Sequence, residues 1–386
     1  MYRVAVIGRG LIGSAAARHL TEMTDGVVVV GPDEPAERSS HTGVFASHYD
    51  EGRMARIVDP MPEWSITAKR SIARFGDLER RSGIAFFTPA GYLGLGGPGM
   101  SYNDACAKAG ATQGATLRRL DAAQIRTAFP FLNVLDKADG LTETGSAGYI
   151  SPRGLVAAQT EIAAKGGAVL LRDAAQSLRP VSGGIEIATM GGDTVKADKV
   201  IVATGAFTQA WSLIEKNLNL KVYGRTVVLA RIDEALLAEF DGMPTMIHCE
   251  SDAYILPPIR YPDGHHYLKL GNGSDRDERL SSPEKLDRWF KSAGSESDRR
   301  DFTRLMKSIF PALQACEHWR TDTCATTYTA SRLPIIDFVD NDRVLVAVGG
   351  CGKGAKGSDD WGHIAATTIL DAPRDHSIAR DKLRFS

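Results

Sequence analysis

The chain has 386 residues, 43% of them hydrophobic, and a formal net charge of −1. That length and apolar content allow a large core divided between two lobes. The near-neutral balance argues against nucleic acid or an anionic membrane as a partner, and no apolar run approaches the roughly 18 residues of a membrane span. The first strand starts at once, so no signal peptide is expected. Five cysteines (Cys106, Cys249, Cys316, Cys324 and Cys351) are scattered without CxxC or zinc spacing. Their pattern points to no metal site and to a reducing, cytoplasmic setting.

Val4, Val6 and Ile7 read as a buried strand, and Gly8-Arg9-Gly10-Leu11-Ile12-Gly13 follows it directly. Leu11, Ala15, Ala16 and Leu20 then fall near one helical face. An Asp25-Gly26 turn leads into Val27–Val30, a second buried strand. This is a βαβ unit with glycines where a dinucleotide site needs them. Gly8 permits the tight turn, Gly10 lets a pyrophosphate approach the backbone, and Gly13 lets helix and strand pack closely. Leu11 and Ile12 open the helix, whose free N–H groups and positive dipole end suit phosphates. A glycine-rich turn without a ligand is the plain structural alternative.

The segment 31–59 is polar and too long for an ordinary connection, which marks it as functional. It carries Ser47, His48, Arg53 and Arg56. A helix is expected over 66–81, followed to about residue 131 by short strands alternating with helices, as in a separate lobe. Ser151-Pro152 is a helix start, with Ser as cap and Pro at the first helical position. That helix should stop at Gly166-Gly167. A strand over 168–171 comes next, then turns at Gly183-Gly184 and Gly191-Gly192 and a strand over 199–203 ending at Gly205. Residues 220–320 read as strands followed by a charged helical stretch over 282–310. Val344–Val348 is a last buried strand, and it empties into a glycine-rich loop over 349–357 with Lys353 and Lys356. Small residues there would let a flat, anionic ligand lie against the backbone.

These stretches, in this order, resemble the glutathione-reductase-type FAD fold within the D-amino-acid-oxidase-like amine oxidases. Monomeric sarcosine oxidase and its relatives are the nearest pattern. The match is carried by 8–13, 47–56, 254–269 and 324–356, with 198–206 similar to a second FAD-contact strand. The resemblance implies an α/β fold: an FAD-binding Rossmann-like lobe (1–81, 145–215 and 322–386) and an antiparallel-sheet substrate lobe (82–144 and 216–321). It implies FAD contacts at Gly8, Gly10, Leu11, Ile12, Gly13, Ser47, His48, Ala174, Gly205, Gly350, Gly352, Lys353, Gly354 and Lys356. Cys324 stands where these oxidases attach FAD through a thioether, with His48 as the lesser alternative. Lys269 matches the lysine that promotes reduction of O2, a role that suits a buried cation beside developing negative charge. Arg53 matches an arginine lying against the flavin. Arg56 and Lys356 match a clamp on the substrate carboxylate, to which guanidinium is suited, and Tyr254 is expected to line the same pocket.

The sequence also departs from that family. The acid that usually ends the second strand and holds the ribose is Gly31, which leaves Asp33 or Glu34 as substitutes. The pocket histidine is Gly273, an aromatic is Thr326, and another histidine is Lys353. A roomier, more basic pocket follows, for a larger or dianionic substrate. The expected activity is FAD-dependent oxidation of a carboxylate-bearing secondary or primary amine to an imine, with O2 giving H2O2. The chain is expected to be a monomer or small homo-oligomer. Competing readings are a dehydrogenase of this fold serving a quinone or carrier protein, an NAD(P)-dependent dehydrogenase, and a non-catalytic FAD-binding subunit.

Overall fold

The computed structural model describes residues 1–209, 213–273, 277–340, 342–373 and 375–385. Strand Tyr2–Ile7 lies between Val27–Val30 and Thr194–Val202, parallel to both. Val169–Leu171 extends this sheet on one side and Val344–Val348 on the other, again in parallel. Along Tyr2–Ile7, Val4 and Val6 enter one core while Ala5 and Ile7 enter the core on the opposite face. Both faces are covered, so these strands read as unbroken apolar runs rather than alternating ones. The antiparallel meander Ala175–Val181, Gly184–Thr189 and Thr194–Val202 turns at the two glycine pairs expected from the sequence.

Helices Leu11–Thr21 and Gly354–Ile369 pack side by side on this sheet. Their approach is close: a Cβ at Gly362 would stand 2.5 Å from the Ala15 Cβ and 2.6 Å from the Ala16 nitrogen. Helix Pro62–Ser82 starts earlier than the expected residue 66, because Pro62 takes a first-turn position where no N–H is needed. Helix Pro152–Lys165 starts as expected, with Ser151 Oγ accepting the Gly154 N–H at 3.0 Å.

The second sheet runs Trp319–Tyr328, Lys221–Ile232, His266–Gly271, Ala253–Arg260, Thr245–His248, Tyr92–Gly96, Asp139–Thr144, Thr116–Asp121. It is antiparallel except where Thr245–His248 meets Tyr92–Gly96 in parallel. Trp319–Tyr328, expected in the first lobe from residue 322, pairs along Lys221–Ile232 and so lies wholly in this second sheet. The charged stretch over 282–310 is two helices, Pro283–Phe290 and Glu296–Ile309, parted where Gly294 takes a φ of +78°. A third, small sheet joins Arg53–Ala55, Gly148–Ile150 and Phe87–Pro89. The segment 31–59 is otherwise irregular.

One buried carboxylate ties four helices together. Asp359, on Gly354–Ile369, accepts hydrogen bonds from Arg18, Arg74 and Gln159, which lie on Leu11–Thr21, Pro62–Ser82 and Pro152–Lys165. His19 Nε2 lies 3.4 Å from the same carboxylate. Burial lowers the His19 pKa from 6.5 to about 4, with Arg18 and His363 adding to the shift and Asp359 opposing it. The folded pKa is the lower one, so the unfolded chain takes up a proton between pH 6.5 and 4 that the folded chain refuses. Stability is therefore lost as pH falls through that window, by about 2 kcal/mol at pH 5 from this ring. Urea denaturation of wild type and His19→Gln at pH 7 and pH 5 should show the variant losing correspondingly less.

Candidate active site

The N-termini of helices Leu11–Thr21 and Gly354–Ile369 open into one cavity at the ends of the parallel strands. Its wall includes Gly8, Gly10, Leu11 and Ile12 from the first turn, with Ser47, His48 and Arg53 from the irregular segment. Ala174, Gly205 and Cys324 complete one side, and Gly350, Gly352 and Gly354 the other. Neither helix has an acidic residue in its first turn, so nothing cancels the positive dipole ends. A Cβ at Gly10, Gly205 or Gly354 would meet no atom within 4 Å, so a ligand can approach to backbone distance there. Gly13 lies behind the wall and serves packing: a Cβ there would stand 1.8 Å from the Gly8 carbonyl oxygen. The glycine run after Val348 is shorter than the expected 349–357 loop. Its second half is already helix, which puts Lys356 in a first helical turn.

Asp33 and Glu34 stand apart from the wall, a departure from the expected ribose contact. Asp33 accepts from Arg9 and takes Arg172 at 2.6 and 2.7 Å, and the hydrogen bond from Arg172 leads in lowering its pKa. Glu34 takes the Arg153 guanidinium at 2.6 and 2.7 Å. Gly31 does line the cavity, and a Cβ there would come within 2.8 Å of the Arg9 nitrogen. The glycine thus leaves room for Arg9, which takes up the acid that follows.

Cys324 projects from Trp319–Tyr328 into the cavity wall and is held from two sides. Ser47 Oγ donates to the Ala325 carbonyl at 2.7 Å and accepts the Ala325 N–H at 3.2 Å. Trp289 Nε1 donates to the Cys324 carbonyl at 3.0 Å. Ser47 therefore positions the cysteine as well as bordering the cavity. Burial pulls the His48 pKa down to about 3, with Arg153, Arg9 and Arg53 adding to the shift, so its ring is neutral at pH 7.

Two clusters of buried charge flank this wall. In the first, Asp50 pairs with both Arg53 and Lys269 and accepts the Tyr261 hydroxyl at 2.9 Å. Lys269 is fully buried and also donates to the Gly52 carbonyl at 2.9 Å, with its ammonium 5.8 Å from the Tyr254 ring centre. Leu268 and Leu270 point into the core on the other face, as the strand period requires. Burial drives the Lys269 pKa down and Arg53 adds to that, while Cys324 and Asp322 oppose it. In the second cluster, Asp59 lies between Lys353 Nζ at 2.8 Å and Lys356 Nζ at 2.7 Å. Burial lowers the Lys356 pKa to about 8, against the pull of Asp59, so it stays protonated at pH 7. Arg56, also buried, donates to the Val58 carbonyl and to the Tyr102 hydroxyl, and its guanidinium stands 4.6 Å from the Tyr92 ring centre.

A family model described as FAD dependent oxidoreductase matches residues 3–367. The chain belongs to that family. It is 30% identical over 214 residues to monomeric sarcosine oxidase of Streptomyces avermitilis, a match that spans about half of each chain: 53% of this one and 52% of that. It is 23% identical over 401 residues to N-methyl-L-tryptophan oxidase of Salmonella agona, covering 100% of this chain and 99% of that one. Among solved structures, NikD, described as an unusual amino acid oxidase essential for nikkomycin biosynthesis, superimposes with a TM-score of 0.75 at 19% identity. That comparison covers 99% of this chain and 97% of NikD, and shows a shared fold. The protein is a flavin oxidoreductase. The open glycine cradle between two helix N-termini fits the dinucleotide part of FAD, and the wall from His48 to Cys324 fits its ring.

Sequence reasoning brought Arg53 and Arg56 to this site but missed the acids that hold the site's cations. The signal was present: Asp50, Arg53, Arg56 and Asp59 recur at intervals of three along one segment. It also missed Arg225, whose Nε donates to Thr326 Oγ1 at 2.8 Å and whose guanidinium pairs with Asp277. Among the described residues, no group of His, Cys, Asp and Glu is fit to hold a metal, and no helix is long and apolar enough to cross a membrane. Replacing Asp59 with Asn would leave two ammonium groups without their counter-charge. Breaking a buried pair in this way costs about 3 kcal/mol. Urea unfolding of Asp59→Asn at pH 7 should show a loss of that order, and Lys356 should titrate below its wild-type value.

Proposed function

We propose that the protein oxidises a secondary or primary amine carrying a carboxylate to an imine, passing the electrons to O2 to give H2O2. The observation that carries this reading is a pair of buried cations, Lys356 and Arg56, the first next in sequence to the cavity-lining Ala355 and the second three residues after the cavity-lining Arg53. Similarity to an N-methyl-L-tryptophan oxidase over the whole chain supports it. FAD, when bound, takes a hydride equivalent from the carbon next to nitrogen and delivers two electrons to O2. Arg56 and Lys356 grip the substrate carboxylate. Arg56 has N–H groups beyond the two given to Val58 and Tyr102, since a guanidinium carries five. Lys356 gives one of its three to Asp59. Tyr254 would close the pocket, and Arg53, which lines the cavity, would face the flavin. No side chain here acts as a dedicated base, so the rate comes from positioning and from fixed charge. Water then hydrolyses the imine to a carbonyl compound and an amine.

Lys269 is the cation that favours electron transfer to O2, and Asp50 holds it in place. The same carboxylate also offsets its charge, which favours a second reading: a dehydrogenase that serves a quinone or carrier protein. Peroxide formation in air by the purified holoenzyme separates the two. On the oxidase reading, Lys269→Met slows reoxidation of the reduced flavin by O2 at least about tenfold while leaving anaerobic reduction by substrate much less changed. Equal reoxidation rates in stopped flow would remove the role.

Cys324 would hold the flavin covalently through a thioether to its 8α-carbon in this proposal; forming that bond would release two electrons and two protons, which O2 would accept. An absorbance spectrum after acid denaturation should show the flavin still with the wild-type chain and released from Cys324→Ser. Flavin released from both would overturn the covalent link.

A further inference from the structure

Arg225 is a buried cation that neither the glycine cradle nor the carboxylate clamp uses. It lies in register opposite Cys324, so the two side chains leave the same face of the second sheet. Its hydrogen-bond acceptor, Thr326, lines the cofactor cavity beside Cys324. The guanidinium sits 5.1 Å from the Tyr223 ring centre and 5.4 Å from that of Tyr328. A Cβ at Gly273 would stand 3.4 Å from its central carbon, so glycine there keeps the space in which the group lies.

Each of the two rings carries a second guanidinium. Arg279 lies 5.0 Å from the Tyr223 centre and Arg332 lies 4.9 Å from the Tyr328 centre. Both arginines are exposed, and among the described residues neither has a carboxylate within ion-pair distance. Three guanidinium groups thus gather on two aromatic rings, and among the described residues Asp277 is the carboxylate within ion-pair distance of them. The patch adjoins the Lys353–Asp59–Lys356 cluster: a Cβ at Gly352, next to Lys353, would stand 2.9 Å from the Tyr328 hydroxyl. Guanidinium on an aromatic platform is weakly hydrated, always charged, and shaped to bind a carboxylate through two parallel bonds.

We propose that Arg225, Arg279 and Arg332 form a second anion subsite beside the Arg56–Lys356 clamp, so that the preferred substrate is an N-substituted amino acid bearing a second carboxylate. This rests on the amine-oxidation reading above. The second carboxylate sits over the Tyr223 and Tyr328 rings while the first is gripped by the clamp, which fixes the nitrogen and its neighbouring carbon between two anchors.

The test uses FAD-loaded holoenzyme, with anaerobic flavin reduction by N-methyl-L-glutamate compared with N-methyl-L-norvaline. Calorimetric binding of glutarate compared with butyrate gives a readout that needs no turnover. Wild type should favour the dicarboxylate at least tenfold in kcat/KM, mainly through KM, and should bind glutarate but not butyrate. Arg225→Gln should cut that preference at least tenfold and weaken glutarate. Because Arg225 is buried, the exposed pair Arg279→Gln/Arg332→Gln provides an arm that keeps the core intact, and it should cut the preference at least threefold. Equal use of both amines by wild type, or a preference unchanged in both variants, overturns the subsite and leaves amine oxidation standing. Glutarate binding that depends on Arg225 while neither amine reduces the flavin supports the subsite and overturns the oxidation reading.

Discussion

Asp59 ends the long irregular segment after the first βαβ unit, and its carboxylate lies between the ammonium groups of Lys353 and Lys356. All three belong to the seam where that segment meets the last helix, nearly three hundred positions later in the chain. A buried charge is tolerable only when its partner is held in place, so the seam closes only when both segments are folded. Asp50 applies the same constraint a few residues earlier, pairing Arg53 from its own segment with Lys269 from the second sheet. The cavity wall between the two clusters inherits its shape from these pairs. The site is therefore a product of the complete fold, with no element able to present it alone.

The parts legible in the sequence were those whose cause is local. Gly8 is demanded by its own positive φ and Gly13 by the Gly8 carbonyl a few residues away, Ser151 and Pro152 by the unmet N–H groups of their own helix, and Val27–Val30 by burial on both faces. Lys269 could be oriented correctly because its apolar neighbours fix the strand period. What stayed hidden depends on partners distant in sequence. Asp33 looks available for a ribose until Arg172, far along the chain, is seen to hold it. Arg225 reads as one charged residue in an apolar strand, and only its register with Cys324 and Thr326 reveals what it faces. The acids beside the site's cations stayed hidden for the same reason, since the cations are conspicuous in the sequence and their carboxylates are not.

NikD shares this fold at low identity. Backbone-mediated binding tolerates such drift, because close approach needs only small residues and free N–H groups. A pocket that recognises charge depends on individual side chains. Glycine and threonine at 273 and 326 leave a space, and a guanidinium from the neighbouring strand occupies it.

The layout of charge from surface to interior has a direction. Arg279 and Arg332 stand exposed, Arg225 is buried and paired with Asp277, and Lys353, Lys356, Arg53 and Lys269 share two carboxylates, Asp59 and Asp50. Among the described residues, Arg279 and Arg332 have no carboxylate within ion-pair distance, whereas Asp277, Asp59 and Asp50 stand among the buried cations. An anionic substrate is attracted over a distance set by ionic strength, about 8 Å at physiological salt, and meets fixed partners only at the end. Partial compensation inside lowers the cost of burying these cations, while the exposed arginines supply the attraction. Cations buried without any carboxylate would cost far more, which is why acids accompany them inside.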